Sequence, residues 1–168
     1  KVCKLARDNG AEVKAYILLK PPYLSEKEGI EDAIQSAIDA APHVDKISIN
    51  PVNVQKNTVV EKLWLRKEWT APWLWSVVEV LQKCDNLPVR VYSDPTGGGT
   101  RRGAHNCHDC NKNILGSLKN HRLGLGGLKG LHCSCKSRWK VLVNQSKLRR
   151  NGSEPHGYRS GFGGSRHF

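Results

Sequence analysis

The sequence predicts an α/β chain. Three parallel strands alternate with helices as one half of an open barrel, and a small cysteine-rich, metal-binding appendage follows. Three observations lead there. Short apolar runs of strand length are separated by longer stretches of helical periodicity. Strands joined by helical crossovers pair in parallel, yet three are too few to close a barrel or to form a covered sheet. Four of the six cysteines fall in two tight pairs, Cys107/Cys110 and Cys133/Cys135.

The elements read off in order. The opening residues have the character of the last turns of a helix. Val13–Leu19 is a continuous apolar run of strand length, ended by Lys20 and the Pro21–Pro22 pair. Ser25 and Glu28 have the spacing of a capping box. Ile30, Ala33, Ile34, Ala37, Ile38 and Ala41 then mark one face of a helix that Pro42 stops. Lys46–Asn50 reads as the second strand. Thr58 and Glu61 open another helix, carrying Val59, Val60, Leu63 and Trp64. Pro72 stands near the start of a further helix through Trp75, Val78 and Leu81. Val89–Asp94 is the third strand, closed by the Gly97–Gly99 loop.

Side chains alternate across a strand, so parity gives an orientation. Ile47 and Ile49 share one face, leaving Ser48 and Asn50 on the other. Val89 and Val91 share a face, leaving Arg90, Tyr92 and Asp94 opposite. If the apolar sets pack on helices, the polar sets point into a barrel lumen. Chemistry in such folds sits at the C-terminal ends of the strands. Lys20, Asn50, Arg90 and Asp94 are the candidates, and plain solvent-facing positions are the alternative. Trp64, Trp69, Trp73 and Trp75 are either core or a platform over a lumen ligand. The amides of GGGTRRG, after the third strand, either cradle an anion or simply form a flexible loop.

The cysteine pairs carry the strongest chemical signal. A CxxC turn presents two thiolates to one ion, and a second pair completes tetrahedral coordination. Twenty-two residues separate the pairs, bracketing a helix at Asn111–Asn120 and the glycine-rich 124–130. Four thiolates suit zinc best, and an iron–sulfur cluster uses the same ligands. His105, His108 and His132 are neighbours able to replace one. Cys3 and Cys84 read as ordinary buried thiols. Lys136–Leu148 is a basic helix with Trp139, Leu142 and Val143 on its apolar side.

Residues 1–95 hold 13 Lys/Arg and 13 Asp/Glu, whereas residues 96–168 hold 14 against 2, so the whole net charge of +12 is C-terminal. Such a separation suits a polyanion, most often nucleic acid, or else a solvated basic face. No apolar run is long enough to span a membrane, and no signal peptide opens the chain; the expected compartment is the cytoplasm. The organisation is thus 1–100 as half-barrel, 101–148 as metal-binding region, and 149–168 as a disordered basic tail of Gly, Arg and Ser. The chain has no methionine, which suggests that a larger protein has been cut.

The run SINPVNVQKNTVVEKLWLRKEWTAPWLWSVVEVL at 48–81 closely resembles the archaeosine-synthase radical S-adenosylmethionine (SAM) family, relatives of the Elongator catalytic subunit. The match runs back through VKAYILLKPPYLSEKEGIEDAI and forward through SDPTGGGTRRGAHNCHDC and CSCKSRW. The resemblance implies a partial TIM-like barrel, of which this chain keeps the last three units. It implies a tRNA substrate carrying a lysine-bearing 7-deazaguanine in the D-loop, converted to archaeosine after a lysine-transferring partner enzyme has acted. It also implies SAM and a 4Fe–4S cluster held by CxxxCxxC. That motif occurs nowhere in the 168 residues. No catalytic residue is therefore assigned, and the chain is expected to be inactive without a complementing N-terminal half. Asn50, Pro51, Asn53 and Gln55 are carried over as functional positions. The cofactor-binding set is Lys20, Asn50, Gln55 and Arg90. The alternative is a non-catalytic, zinc-stabilised tRNA-binding module.

Overall fold

A computed structural model describes residues 2–149, with side chains described through residue 145. The tail assigned beyond residue 149 lies outside the described residues. Strands β1 (Lys14–Leu19), β2 (Lys46–Pro51) and β3 (Arg90–Tyr92) form one sheet in the order β1-β2-β3, parallel throughout. Cross-strand rows follow the register. Ala15, Ile47 and Val91 align on one face, and Tyr16, Ser48 and Tyr92 on the other. Ile47, Ile49 and Leu19 are completely buried, so the apolar parity expected for β2 is observed.

Among the described residues, only one face of the sheet is covered. Helix α2 (Glu26–Ala40) lays Ile30, Ala33 and Ala37 against it. Its start has both halves of the capping box, with Ser25 Oγ accepting from the Glu28 amide and Glu28 Oε2 from the Ser25 amide. The apolar stripe is narrower than expected: Ile38 is 45% exposed. A 3-10 turn through Pro42 ends the helix, because the proline ring cannot continue it. Helix α4 (Leu74–Lys83) is buried on nearly every side, including Trp75, Val77, Val78 and Leu81, since it packs on β2, α2 and the C-terminal lobe.

Short helices α1 (Val2–Asp8) and α3 (Val59–Leu65) lie at the periphery. None of α1 is buried, and Val2 and Leu5 are exposed. At α3 the expected reciprocal cap is only half formed. Thr58 Oγ1 accepts from the Glu61 amide, but the Glu61 carboxylate turns to the Asn57 amide and to Arg102. Leu63 of α3 instead joins a small separate cluster with Val54, Trp69 and Ala71.

The third strand is shorter than its apolar run suggests, three residues, because Ser93 leaves the ladder and bonds Ile49 carbonyl through its hydroxyl at 2.7 Å. Helices α5 (His108–Arg122) and α6 (Cys135–Arg149) make the C-terminal lobe. Both begin at or beside a cysteine, so α5 is longer than the Asn111–Asn120 expected. One continuous apolar cluster joins Leu19 and Ile47 to Ile114, Leu118 and Trp139, so the lobe packs directly on the helical layer of the sheet. No described helix is long and apolar enough to cross a membrane.

Candidate metal centre and the open sheet face

The two cysteine pairs, remote in sequence, meet at the first turns of α5 and α6. Cys107 is the N-cap residue of α5 with Cys110 in its first turn, and Cys135 opens α6. Helix N-termini favour anionic groups, which suits thiolates. Sγ separations are 3.5 Å for Cys107–Cys110, 3.5 Å for Cys107–Cys133 and 3.6 Å for Cys110–Cys135, with all four sulfurs within 4.8 Å of one another. One ion bonded at about 2.3 Å to four sulfurs spaces them roughly 3.8 Å apart. The four sulfurs can therefore hold a metal ion. None of the three nearby histidines joins the group: His108 and His132 are exposed, and His105 Nδ1 lies 2.8 Å from the Gly103 carbonyl oxygen.

The tetrad has an inside and an outside. Cys110 and Cys135 are 5% and 6% exposed, whereas Cys107 and Cys133 are half-buried. Without metal, burial pushes the Cys110 thiol well above its ordinary range. The Cys135 backbone amide, donating to Cys133, lowers that thiol to about 7. A thiol lowered in this way favours the thiolate form that a cation requires. Of the remaining cysteines, Cys84 is buried as expected and its thiol is pushed up by burial, while Cys3 is only half-buried.

The uncovered sheet face is the second candidate. It floors a cavity of about 520 Å³ lined by Tyr16, Leu18, Ser48, Asn50, Asp94 and Arg122 among others. Ser48 donates to Asn50 Oδ1 at 3.0 Å, and Arg122 Nη1 pairs with Asp94 Oδ2 at 2.9 Å. Lys14 Nζ lies 4.3 Å from the Tyr16 ring and 4.9 Å from Tyr92. Hydrogen bonds to Tyr92 and then Tyr16 raise its pKa. Tyr16 and Leu18 are 66% and 55% exposed on this face, which is unusual for a parallel sheet.

The predicted site residues separate. Asn50, Pro51, Asn53 and Asp94 line this cavity together. Gln55 does not: it is exposed and donates to Asn53 Oδ1 at 2.8 Å. Arg90 shares the parity of Tyr92 but bends toward α5, where its guanidinium bonds the Arg122 carbonyl beside His121. Lys20 departs furthest from expectation. Strict alternation from Leu18 aims it at the open face, but its φ of 58° turns the chain over. Its ammonium is buried on the helical side, 2.7 Å from Glu26 Oε2 and 3.1 Å from Thr70 Oγ1. The helical side also holds Trp69 and Trp75, 5% and 1% exposed, and none of the four clustered tryptophans lines the open-face cavity. In GGGTRRG, most of the glycine amides are turned inward. The amides of Gly98, Gly99, Thr100 and Gly103 are bonded to carbonyls of their own loop. Gly103 is required there, since a Cβ would lie 2.2 Å from the Gly97 oxygen.

Sequence reasoning missed Tyr16 and Leu18, because an all-apolar run hides its period of two. It also missed Glu26, which Lys20, Ser76 and the Trp73 amide all address.

No protein-family model matches the chain. It is 44% identical over 142 residues to a protein of Methanosarcina acetivorans named archaeosine synthase subunit beta, covering 82% of this chain and 41% of that protein. It is 41% identical over 155 residues to the protein of the same name from Thermococcus kodakarensis, covering 88% of this chain and 47% of the other. An uncharacterised protein of Methanocaldococcus jannaschii is 32% identical over 149 residues, 85% of this chain and 41% of that one. The chain thus spans less than half the length of the curated relatives it matches. Identity of this extent over most of the chain reflects common ancestry, and it supports placing the chain with the archaeosine synthase family.

Proposed function

We propose that the chain is the C-terminal half of a radical SAM enzyme that forms archaeosine from a lysine-bearing 7-deazaguanine in the tRNA D-loop. The single observation that carries this reading is the bare, polar-lined face of a parallel sheet. Parallel strands are normally covered on both sides. Here the second cover is absent among the described residues, and the named relatives are more than twice as long as the matched segment. The remaining barrel units would close over Tyr16, Leu18 and Asn50, turning the open face into a lumen.

The catalytic cluster has no ligands in this chain. CxxxCxxC is absent, and the cysteine tetrad brings four sulfurs too close together for each to take a different iron. That tetrad is read instead as a structural zinc site. SAM and the cluster would supply the radical, and this chain's share is to bind and orient. Asn50, whose Oδ1 the buried Ser48 hydroxyl fixes, and Asn53 offer polar contacts to SAM or the base, and the basic C-terminal lobe offers phosphate contacts to tRNA. Gln55, Lys20 and Arg90 have weaker claims from their positions. The name subunit beta suits a complex with a second subunit, such as the lysine-transferring enzyme, in the cytoplasm.

The charge separation favours a second reading, a zinc-stabilised tRNA-binding module without catalysis of its own. The test joins the chain to the N-terminal portion of the Methanosarcina acetivorans relative and assays archaeosine in tRNA under anaerobic conditions. The first reading expects activity only from the joined protein, reduced on the order of 10–100-fold by Asn50→Ala with tRNA affinity unchanged. Equal activity of the Asn50→Ala protein, or tRNA binding with no gain of activity on joining, favours the second.

A further inference from the structure

Two N–H groups from outside the cysteine pairs converge on the inner sulfurs. Trp75 Nε1, at the start of α4, donates to Cys135 Sγ at 3.3 Å. Asn106 Nδ2 is buried and has no hydrogen-bond partner among the described residues. Its orientation is nonetheless set. Asn106 Oδ1 accepts from the Trp75 backbone amide at 3.2 Å, and the Asn106 amide donates to Asn111 Oδ1 at 2.6 Å. With the oxygen held toward α4, the NH₂ half is left free of protein acceptors among the described residues. The Asn106 side chain interacts with the Cys110 sulfur from that side.

A dication bound by four thiolates carries two surplus negative charges. At Cys110 and Cys135, 5% and 6% exposed, water does little to disperse them. N–H donors aimed at sulfur serve that purpose, and their removal typically weakens metal binding. We infer that Trp75 and Asn106 are the N–H···S donors of a zinc tetrathiolate, and that a loaded site gives the buried Asn106 N–H its acceptor. Trp75 then links the metal to the helical layer under the sheet twice, through its indole and through the amide that orients Asn106. Lys136, whose ammonium lies 4.8 Å from the centre of the Trp75 ring, adds positive charge to the same flank.

The inference rests on the reading that one zinc ion fills the site, and the experiment separates the two. The full chain is loaded with zinc, its metal counted, and its affinity measured by competition with a chromophoric chelator. A cobalt-substituted sample reports sulfur donation through its thiolate charge-transfer band. Trp75→Phe and Asn106→Ala should each weaken zinc binding roughly 10–100-fold and move that band to lower energy. Asn106→Asp keeps the acceptor for the Trp75 amide and the side-chain shape, so it preserves the fold while turning an oxygen on the sulfurs. It should cost the most affinity. Asn113→Ala, exposed on α5, should change neither quantity. One zinc per chain with band and affinity unaltered in all variants overturns the donor roles and leaves the zinc reading standing. A wild-type chain that retains no zinc overturns both.

Discussion

The two faces of one three-stranded sheet have opposite characters. On one, Ile47, Ile49 and Leu19 are sealed under α2 and α4, and behind those helices the lobe with its four sulfurs completes the packing. On the other, Tyr16 and Leu18 stand in the open beside Ser48 and Asn50. Both faces are built from the same strands at alternate residues. The covered face is finished within this chain, whereas the open face has no second layer among the described residues. One buried polar network on the finished side is centred on Glu26. Glu26 accepts from Lys20, Ser76 and the Trp73 amide, and Ser76 in turn accepts from Trp139 Nε1 at 2.8 Å. This network ties the end of β1 to α2, α4 and α6.

That contrast can be broken most severely at the metal centre. Structural zinc contributes apparent binding free energies of about 10–16 kcal/mol in small metal-folded peptides. Cys135→Ser should therefore abolish metal retention and release α5 and α6. Loss of protection from hydrogen exchange in residues 107–145, with β1 and β2 still protected, is the expected reading. Unchanged protection there would refute a metal that holds the lobe. Next in size is the buried pair. Glu26→Gln leaves the Lys20 ammonium buried without its counter-charge, which should cost about 3–5 kcal/mol in a denaturant titration. A loss under about 1 kcal/mol would mean that the ammonium escapes to solvent through a second cavity, lined by Lys20, Glu26, Trp69 and Thr70 among others.

The smallest effect on this chain belongs to the open face. Tyr16→Ser and Leu18→Ser remove exposed side chains and should alter its stability by no more than about 0.5 kcal/mol. The same substitutions should sharply weaken association with, or folding of, the N-terminal half supplied by the relative. If both quantities stay level, the face is ordinary surface and the half-barrel reading loses its main support.

Much of the fold was legible because it follows from local rules. Ser25 and Glu28 announce α2, and Ile47 and Ile49 announce which side of β2 is buried. The tetrad was legible too, since CxxC spacing is a statement about one ion. The positions of Lys20 and Arg90 were not. A parity argument assumes an unbroken strand, and at Lys20 the backbone enters the left-handed region, where Gly29 of α2 approaches so closely that a Cβ would lie 2.8 Å from the Lys20 Cα. Arg90 begins its strand, and its long side chain reaches α5 through contacts no periodicity encodes.

From the residues alone came the alternation of parallel strands and helices, the polar face of β2, the metal-binding tetrad, and the confinement of the excess positive charge to the C-terminal part. Each depends on spacing or composition, quantities that survive in an unfolded chain. Tertiary structure alone decided that Asn106 and Trp75 attend the sulfurs, that Glu26 captures Lys20, and that Tyr16 and Leu18 lie bare. These are relations that no spacing rule encodes, whether the partners are six positions apart, as Lys20 and Glu26 are, or sixty, as Trp75 and Cys135 are. They come into being only when packing brings the separate elements together and chooses which polar groups are buried side by side.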